Sequence, residues 1–295
     1  MQNPSDLADR VDHARSLLSQ MRLFSEPAPK ATRQVLERLK SKGPIKKTSS
    51  KTLSHPDAKA SPDASSPSQK EATQSQGDSF STASLSKEER KARLAALREE
   101  VLVCTKCPHL VASRTNVVFG EGNPDADLMF IGEAPGADED AQGKPFVGRA
   151  GQLLTKIIEA MGLRRDEIYI ANILKCRPDM PDGKSGNRKP RPEEMATCIP
   201  WLKQQIALIQ PKALVALGAT AAEGLLGGGP LVMRDMRSRW HAFEQIPVMV
   251  TYHPAYLLRN QSLSEKRKVW EDMLLVMEHL RIPISKKQRS FFLSK

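Results

Sequence analysis

The sequence has few aromatic residues, few cysteines and no long apolar run. Aromatic residues make up 5% of the 295 residues, and four residues are cysteine. No apolar run approaches the roughly 20 residues with which a helix crosses a membrane, so a membrane protein is not expected. The N-terminus also lacks the basic start and apolar centre of a secretory signal, which predicts a cytoplasmic protein.

Basic residues outnumber acidic ones. The chain has 45 Lys and Arg against 34 Asp and Glu, with a formal charge of +11 and a pI of about 9.5. This balance predicts a polyanionic partner, and hence a nucleoid-associated protein, rather than a membrane surface. Because the cytoplasm is reducing, the cysteines are expected to be metal ligands or free thiols rather than disulfides.

Composition divides the chain into four parts. The spacing of apolar residues in 1–24 allows an amphipathic helix, whereas 25–86 is rich in Pro, Ser and Lys and is predicted to be a disordered linker. The basic residues of the linker either hold nucleic acid loosely or merely keep a tether soluble. A Ser-x-x-Glu helix start signal then opens a folded domain, 87–282, and a basic tail follows at 283–295.

Short apolar runs alternate with segments of helical periodicity in the folded domain. Four runs predict strands at residues 126–131, 168–174, 213–218 and 247–251. Predicted helices lie at residues 153–161, 192–209, 219–226 and 264–280. This order predicts an α/β protein, a three-layer α/β/α sandwich with a central four-stranded parallel sheet.

The loop at 132–151 joins the first predicted strand to the first helix that follows it. Ligands bind at this end of the strands in open α/β sheets. The loop carries five glycines, four acidic residues and Phe146, a mixture that favours a planar polar ligand. A phosphate site is disfavoured, since the carboxylates would repel the anion and no Lys-Ser or Lys-Thr pair ends the loop. A solvated acidic turn is the alternative, and it leaves Phe146 unexplained.

Polar residues also accompany the later strands. Asn172 interrupts an apolar strand, where its amide either caps neighbouring backbone or recognises the edge of a base. Arg188 lies in a basic, proline-rich loop that is suited to contact phosphates. His253 directly follows the fourth strand, a position better suited to chemistry than to packing.

The four cysteines form the clearest chemical pattern. Cys104 and Cys107 form a CxxC pair, and Cys176 and Cys198 follow in the same predicted domain. Two thiolates in CxxC spacing can reach one metal or cluster, so a site with four thiolates is predicted. Spacing alone does not separate zinc from an iron-sulfur cluster.

Taken in order, these motifs resemble those of the family 4 uracil-DNA glycosylases, the iron-sulfur branch of their superfamily. The matching motifs are GEAPG at 132–136, Glu139-Asp140, PFVGRAG at 145–151, Asn172, CRP at 176–178 and HPAYLLR at 253–259. The resemblance covers about residues 101–280. It implies cleavage of the N-glycosidic bond of uracil in DNA, the first step of base excision repair. It also implies a 4Fe-4S cluster on Cys104, Cys107, Cys176 and Cys198, with zinc the less favoured alternative.

The resemblance further implies roles in base recognition and chemistry. Phe146 would stack on the extruded uracil, and Asn172 would face its O4 and N3-H. His253, with backbone N-H groups near Ala134, would donate a hydrogen bond to the uracil O2. Glu139 would position water or favour the positive charge of the sugar.

The remaining implied contacts concern the rest of the base site and the DNA. Glu133 is expected among the base-binding residues. Tyr256 and Leu257 would fill the gap that the flipped base leaves, and Arg259 would hold a phosphate. Ala134 stands where the best-known branch of the superfamily has an aspartate.

One segment departs from the family pattern, and two other classes of function compete. Residues 179–186 resemble an insertion that alters the local DNA contacts, and they lack the histidine with which a related branch traps its product covalently. A non-catalytic nucleic-acid-binding or polymerase-associated module with a structural metal is one alternative. A metal-dependent hydrolase or transferase of small nucleotides is another. We expect a monomer whose N-terminal extension contacts a repair or replication protein.

Overall fold

The computed structural model describes residues 85–178, 186–227, 229 and 231–293. The predictions for residues 1–24 and for nearly all of the 25–86 linker lie outside this part, as does most of the predicted insertion. No helix in the described part is long and apolar enough to span a membrane.

The described residues form an α/β fold around a mixed sheet of six strands. The strands are β1 (Glu121–Gly122), β2 (Leu128–Gly132), β3 (Tyr169–Asn172), β4 (Ala213–Leu217), β5 (Trp240–Phe243) and β6 (Ile246–Thr251), in the spatial order β1-β3-β2-β4-β6-β5. The four predicted strands correspond to β2, β3, β4 and β6, which are parallel to one another.

The prediction of a purely parallel sheet of four strands was therefore wrong at both edges. β1 pairs antiparallel with β3, and β5 pairs antiparallel with β6. Neither edge strand has an apolar run that marks it in the sequence, because β1 is two residues long and β5 is buried only at Phe243.

Ten helices connect and flank the strands in the described part of the chain. They are α1 (Lys87–Leu102), α2 (Pro108–Val111), α3 (Ala137–Gln142), α4 (Arg149–Ala160), α5 (Pro192–Ile209), α6 (Ala219–Leu226), α7 (Met233–Met236), α8 (Pro254–Arg259), α9 (Leu263–His279) and α10 (Lys286–Arg289). The predicted helices correspond to α4, α5, α6 and α9, with boundaries shifted by a few residues.

The central strands are buried on both faces, which explains their continuous apolar sequences. Met129 and Ile131 of β2 pack into a cluster with apolar side chains of α1, α5 and α6. Leu128 and Phe130, which point the other way, pack with side chains of α4 and α9. Helices therefore supply apolar cover to each face.

The predicted helix start at Ser86 is confirmed. The Ser86 hydroxyl accepts the Glu89 backbone N-H at 3.2 Å, and the Glu89 carboxylate accepts the Ser86 N-H at 2.8 Å. This reciprocal capping satisfies two N-H groups that would otherwise lack partners at the first turn. Leu94, Leu97 and Val101 then form the buried side of α1.

Packing extends past residue 282, where the folded domain was predicted to end. Phe291 and Phe292 follow α10 and are buried. The Phe291 ring lies 5.2 Å from the Trp270 ring, and the Trp270 Nε1-H donates to the Gln288 carbonyl at 2.6 Å. At least part of the predicted basic tail thus packs against α9.

The parallel strands bring their carboxyl ends to one edge of the sheet. Gly132 ends β2 and is paired with Asn172, which ends β3. The Gly218 N-H, just after β4, donates to the Thr251 carbonyl at 2.8 Å at the end of β6. His253 follows two residues later, so residues distant in sequence meet at this edge.

Candidate active site

A cavity of about 210 Å³ lies at the carboxyl ends of the strands. Its lining residues are Ala134, Gly136, Glu139, Phe146, Ala150, Asn172, Asn187, His253 and Ala255. Five of the site residues predicted from the sequence therefore line one cavity: Ala134, Glu139, Phe146, Asn172 and His253. Glu133 is not among the lining residues.

Phe146 is held in an unusual backbone conformation. Its φ is 52°, which is rare for a residue with a bulky side chain, and its side chain is only 7% exposed. Gly151 makes this possible, because a Cβ at that position would lie 2.0 Å from the Phe146 carbonyl carbon. The Phe146 ring centroid is 5.7 Å from that of His253. An aromatic face is thus fixed beside the imidazole before any ligand binds.

Glu139 closes the loop that carries Phe146. Its carboxylate accepts backbone N-H groups from Gly136 at 3.0 Å, and from Val147 and Gly148 at 2.9 Å each. Both oxygens are used, and the carboxylate also lies at the N-terminus of α3, where negative charge is favoured. Glu139 therefore lines the cavity while it links the two ends of the loop.

Asp140 has a comparable structural role. Its buried carboxylate accepts the backbone N-H groups of Thr115 and Asn116 at 3.0 to 3.2 Å. The acidic residues at 139 and 140 thus already serve backbone donors. This arrangement disfavours the alternative in which the acidic loop binds a divalent metal for hydrolysis of small nucleotides.

Asn172 lines the cavity and carries a buried, unsatisfied acceptor. The residue is 2% exposed, and its Oδ1 has no hydrogen-bond partner within the described residues. A buried polar atom without a partner costs about 1 to 3 kcal/mol. A ligand with an N-H group directed at Oδ1 would remove that cost.

His253 is neutral and oriented by its own helix. Burial, and secondarily the positive charge of Arg259, lower the pKa of His253 to about 4. Its Nδ1 accepts the Ala255 N-H at 3.1 Å at the start of α8. Since Nδ1 acts as the acceptor, the proton of the neutral imidazole is on Nε2, which makes Nε2-H a hydrogen-bond donor.

Glu133 lies in a different environment from the cavity residues. Burial raises the pKa of its carboxyl, while a hydrogen bond with Thr220 and the charge of Lys189 act in the opposite direction. Thr220 belongs to α6, so the Glu133 side chain contacts that helix. No contact in the described part of the chain supports the predicted role of Glu133 in base binding.

The predicted DNA-contacting residues of α8 differ in exposure. Leu257 is 2% exposed and packs in the core on the α9 face, so it is not available to enter a duplex. Leu258, next to it, is half-buried, and Arg259 is exposed. Tyr256 stacks on Tyr252 with ring centroids 4.4 Å apart.

Arg188 is engaged within the protein. Its guanidinium contacts both oxygens of the buried Glu194 carboxylate, at 2.9 and 2.5 Å. Glu194 also accepts the Arg191 N-H at 2.7 Å and contacts His109 Nε2 at 2.6 Å. This environment, with Arg188 the largest favourable influence against burial, lowers the Glu194 pKa to about 2. Arg188 would have to leave a bidentate ion pair to grip a phosphate.

The four cysteines line a second cavity, on the α1 and α5 side of the sheet. Cys104 and Cys107 follow α1, Cys176 follows β3, and Cys198 lies in α5. Two N-H groups already donate hydrogen bonds to the sulfur atoms. Arg114 Nη1 donates to Cys176 Sγ at 2.9 Å, and the Lys175 backbone N-H donates to Cys198 Sγ at 3.3 Å.

Electrostatics and spacing indicate what this second cavity accepts. Burial raises the pKa values of Cys107 and Cys176, and it raises that of Cys198 to about 11, so bare thiolates are unfavourable there. Among the described residues, no three His, Cys, Asp or Glu side chains converge as ligands of one ion. Zinc requires thiolates about 2.3 Å from one centre, whereas a cluster spreads its thiolates over several irons. Four thiols lining one cavity are a donor set that either a zinc ion or an iron-sulfur cluster accepts.

Asn187 lines the active-site cavity but was not singled out from the sequence. Its Oδ1 accepts Arg177 Nε at 2.8 Å, and its Nδ2 donates to the Pro135 carbonyl at 3.4 Å. Because the surroundings of Asn187 are basic and rich in proline, the sequence predicted a phosphate-binding loop there. Asn187 was therefore not recognised as a residue of the cavity. Its closeness to the 132–136 loop arises from tertiary contacts alone.

Comparisons with known proteins agree with this geometry. A family profile described as the uracil DNA glycosylase superfamily matches residues 119–274. The chain is 44% identical over 187 residues to a type-4 uracil-DNA glycosylase of Thermotoga maritima, a match that covers 62% of this chain and 93% of the relative. It is 39% identical over 208 residues to a type-4 enzyme of Sulfurisphaera tokodaii, covering 68% and 90% of the two chains.

A more distant relative gives a reference point. A type-5 uracil-DNA glycosylase of Thermus thermophilus is 30% identical over 162 residues, which cover 44% of this chain and 71% of the relative. The chain belongs to the uracil-DNA glycosylase superfamily. Within that superfamily it is a member of the type-4 branch, as the higher identities to type-4 relatives indicate.

Proposed function

We propose that this type-4 uracil-DNA glycosylase binds an extruded uracil between Phe146, Asn172 and His253 and hydrolyses its N-glycosidic bond. The base must leave the stack, because neither its edge nor that bond is accessible inside a duplex. The unpartnered Oδ1 of Asn172 carries this proposal. This oxygen requires a hydrogen-bond donor from a ligand. The cavity already offers such a ligand an aromatic face and an imidazole N-H.

Asn172 distinguishes uracil from cytosine. The N3-H of uracil donates to Oδ1, and the uracil O4 accepts from the other end of the amide. Cytosine has no proton on N3 and carries an amino group at position 4, so both contacts would fail. Sites built to hydrogen-bond a substrate reject analogues strongly when their buried polar groups stay unpaired.

His253 stabilises the leaving uracil. As the bond breaks, negative charge develops on O2, and the neutral imidazole donates Nε2-H to it, assisted by backbone N-H groups near Ala134. Donors fixed in place before reaction are effective because they need not reorganise in the transition state. The capping bond from the Ala255 N-H to Nδ1 supports this orientation.

Glu139 favours the positive charge of the sugar through its own negative charge. Its two oxygens already accept three backbone N-H groups, which supports an electrostatic and loop-closing role over activation of water. The carboxylate stays fixed next to the cavity as the sugar becomes cation-like.

The α8 segment contacts the DNA next to the extruded nucleotide. Arg259 is exposed and holds a phosphate, and Tyr256 packs against the gap that the base leaves. Because Leu257 is buried, we assign the wedge role to its half-buried neighbour Leu258. Arg188 contributes to phosphate binding only if it leaves Glu194.

Cys104, Cys107, Cys176 and Cys198 hold a 4Fe-4S cluster. The cysteines come from three separate segments, so the cluster would act as a structural cross-link. Arg114 and the Lys175 N-H, which already address two of the sulfurs, favour the thiolate forms.

DNA that contains uracil is thus the substrate, and the reaction begins base excision repair. A monomeric state and a repair or replication partner for the N-terminal extension stay predictions.

Incubation with an oligonucleotide that contains one uracil, followed by alkali to cut the abasic site, tests this function. We expect cleavage with wild-type protein and a large loss with Asn172→Ala. Asn123→Ala is the matched control, because that side-chain amide does not line the cavity and its Oδ1 accepts the Asp125 N-H at 2.9 Å. Wild-type protein that leaves U:G, U:A and single-stranded substrates intact would refute the proposal.

A further inference from the structure

Lys175 is a fully buried basic side chain for which the chemistry described above has no use. It is 1% exposed and lies three residues after Asn172. Its Nζ donates to the Asn172 backbone carbonyl at 3.0 Å and to Gln205 Oε1 at 2.5 Å. The side chain therefore folds back over the end of β3, and both of these partners are uncharged oxygens.

Burial of an amine in the core is costly unless its hydrogen bonds are made. A methionine would fill a similar volume without that cost, so packing alone gives no reason for a lysine here. What a methionine lacks is a donor for the Asn172 carbonyl, and this donor is the distinguishing contribution of Lys175.

The amine is itself held in place. Gln205 is fully buried, and its Nε2 donates to the Phe119 carbonyl at 3.0 Å and to the Tyr169 hydroxyl at 3.3 Å. The Lys175 backbone is fixed as well, since its carbonyl accepts the Val118 N-H at 2.8 Å and its N-H donates to Cys198 Sγ. Lys175 is thus anchored at both ends.

Asn172 depends on such an anchor. Its Oδ1 has no partner in the described part of the chain, so the direction of the amide is set by backbone position and packing. The space is narrow, since a Cβ on Gly132 would lie 2.4 Å from Oδ1. A small shift of the β3 end would therefore move the base-reading amide.

We propose that Lys175 is a positioning residue for base recognition, which fixes the Asn172 backbone carbonyl and thereby directs the Asn172 side chain at the uracil edge. Through its own N-H on Cys198, the same residue connects the cysteine cavity to the base-reading strand. The inference rests on the proposed role of Asn172.

The test is Lys175→Met in the full-length protein, with free uracil as a competitive inhibitor. We expect inhibition by uracil to weaken roughly fivefold to tenfold, as for loss of one fixing hydrogen bond. The single-turnover rate at saturating enzyme should change less, because His253 is supplied by β6 and α8. Iron content and visible absorbance should match the wild type.

The double variant with Asn172→Ala decides whether Lys175 acts through Asn172. We expect Lys175→Met to lower the subsaturating single-turnover rate in the wild-type background and to have little further effect in Asn172→Ala. Additive effects would overturn the inference. If Asn172→Ala alone has no effect, the proposed function of that residue has failed instead.

Tyr169→Phe is the matched control. It removes a hydroxyl that accepts from Gln205 in the same buried network but leaves the bonds of Lys175 to Gln205 and to the Asn172 carbonyl, so it should lower the unfolding midpoint and spare inhibition by uracil. Equal weakening in Tyr169→Phe would indicate general damage to the core and refute the proposal. If Lys175→Met does not fold, Lys175→Leu, which also lacks a donor, replaces it, and unchanged inhibition in that folded variant would equally refute the proposal.

Discussion

Replacement of His253 separates its contribution to chemistry from its contribution to folding. His253→Ala removes both the Nε2 donor and the Nδ1 cap on α8. His253→Asn removes only the donor toward the cavity, because asparagine is among the best N-cap residues. Loss of one donor to a developing negative charge typically costs about a hundredfold to a thousandfold in rate. We expect both variants to show this loss, with Ala less stable by about 1 kcal/mol.

The assay is single-turnover cleavage of a uracil-containing oligonucleotide with enzyme in excess. Binding of the same DNA should be nearly unchanged in His253→Asn, because the interaction is made mainly in the transition state. A wild-type cleavage rate in either variant would refute the assigned role. A defect confined to DNA affinity would refute it as well.

The pH dependence gives an independent check. The pKa of His253 is lowered to about 4 in the folded state, from an unfolded value near 6.5. The neutral donor should therefore persist well below pH 6.5, and the contribution of His253 to the rate should stay constant from pH 8 to about 5. The folded state should lose stability as the pH falls from about 6.5 toward 4, because only the unfolded state binds the proton readily. A rate that falls with a midpoint near pH 6.5 in the wild type, but not in His253→Asn, would contradict this reasoning.

Three further outcomes are expected. Asn172→Asp should impair release of uracil and permit some release of cytosine, whose amino group a carboxylate accepts, and matched oligonucleotides measure both rates. Cys198→Ala should lose iron, visible colour and thermal stability together, so a colourless variant with wild-type stability and activity would count against the cluster. Deletion of residues 1–84 should preserve cleavage of a short oligonucleotide and weaken the salt-sensitive binding of long DNA, and loss of cleavage would show that the deleted segment helps to form the site.

The central strands were predictable because they are buried on both faces and so have continuous apolar sequences. The edge strands were not, since β1 is very short and β5 carries partly exposed residues. The burial of Lys175, which follows β3, was not predictable from the sequence. Its amine donates to Gln205 in α5, and no local pattern predicts such a partner.

The residues of the candidate site were also predictable only in part. Motif order identified Phe146, Asn172 and His253, and the structure places all three around one cavity. Motif order also predicted a DNA contact for Leu257, whose side chain is in the core. It did not identify Asn187, which lines the cavity. Which side of a short helix faces the core depends on how that helix docks, and six residues of α8 do not determine this.

The positive φ of Phe146 has a consequence for the choice of substrate. Gly151 and the three amides on Glu139 hold the aromatic ring in position before DNA arrives, so binding spends little free energy on ordering this loop. The free-energy cost that still differs between substrates is the cost of extruding the base. This cost depends on the DNA rather than on the protein. We therefore expect catalytic efficiency to rank substrates by how weakly their uracil is stacked and paired, with single strands and U:G mismatches ahead of U:A pairs.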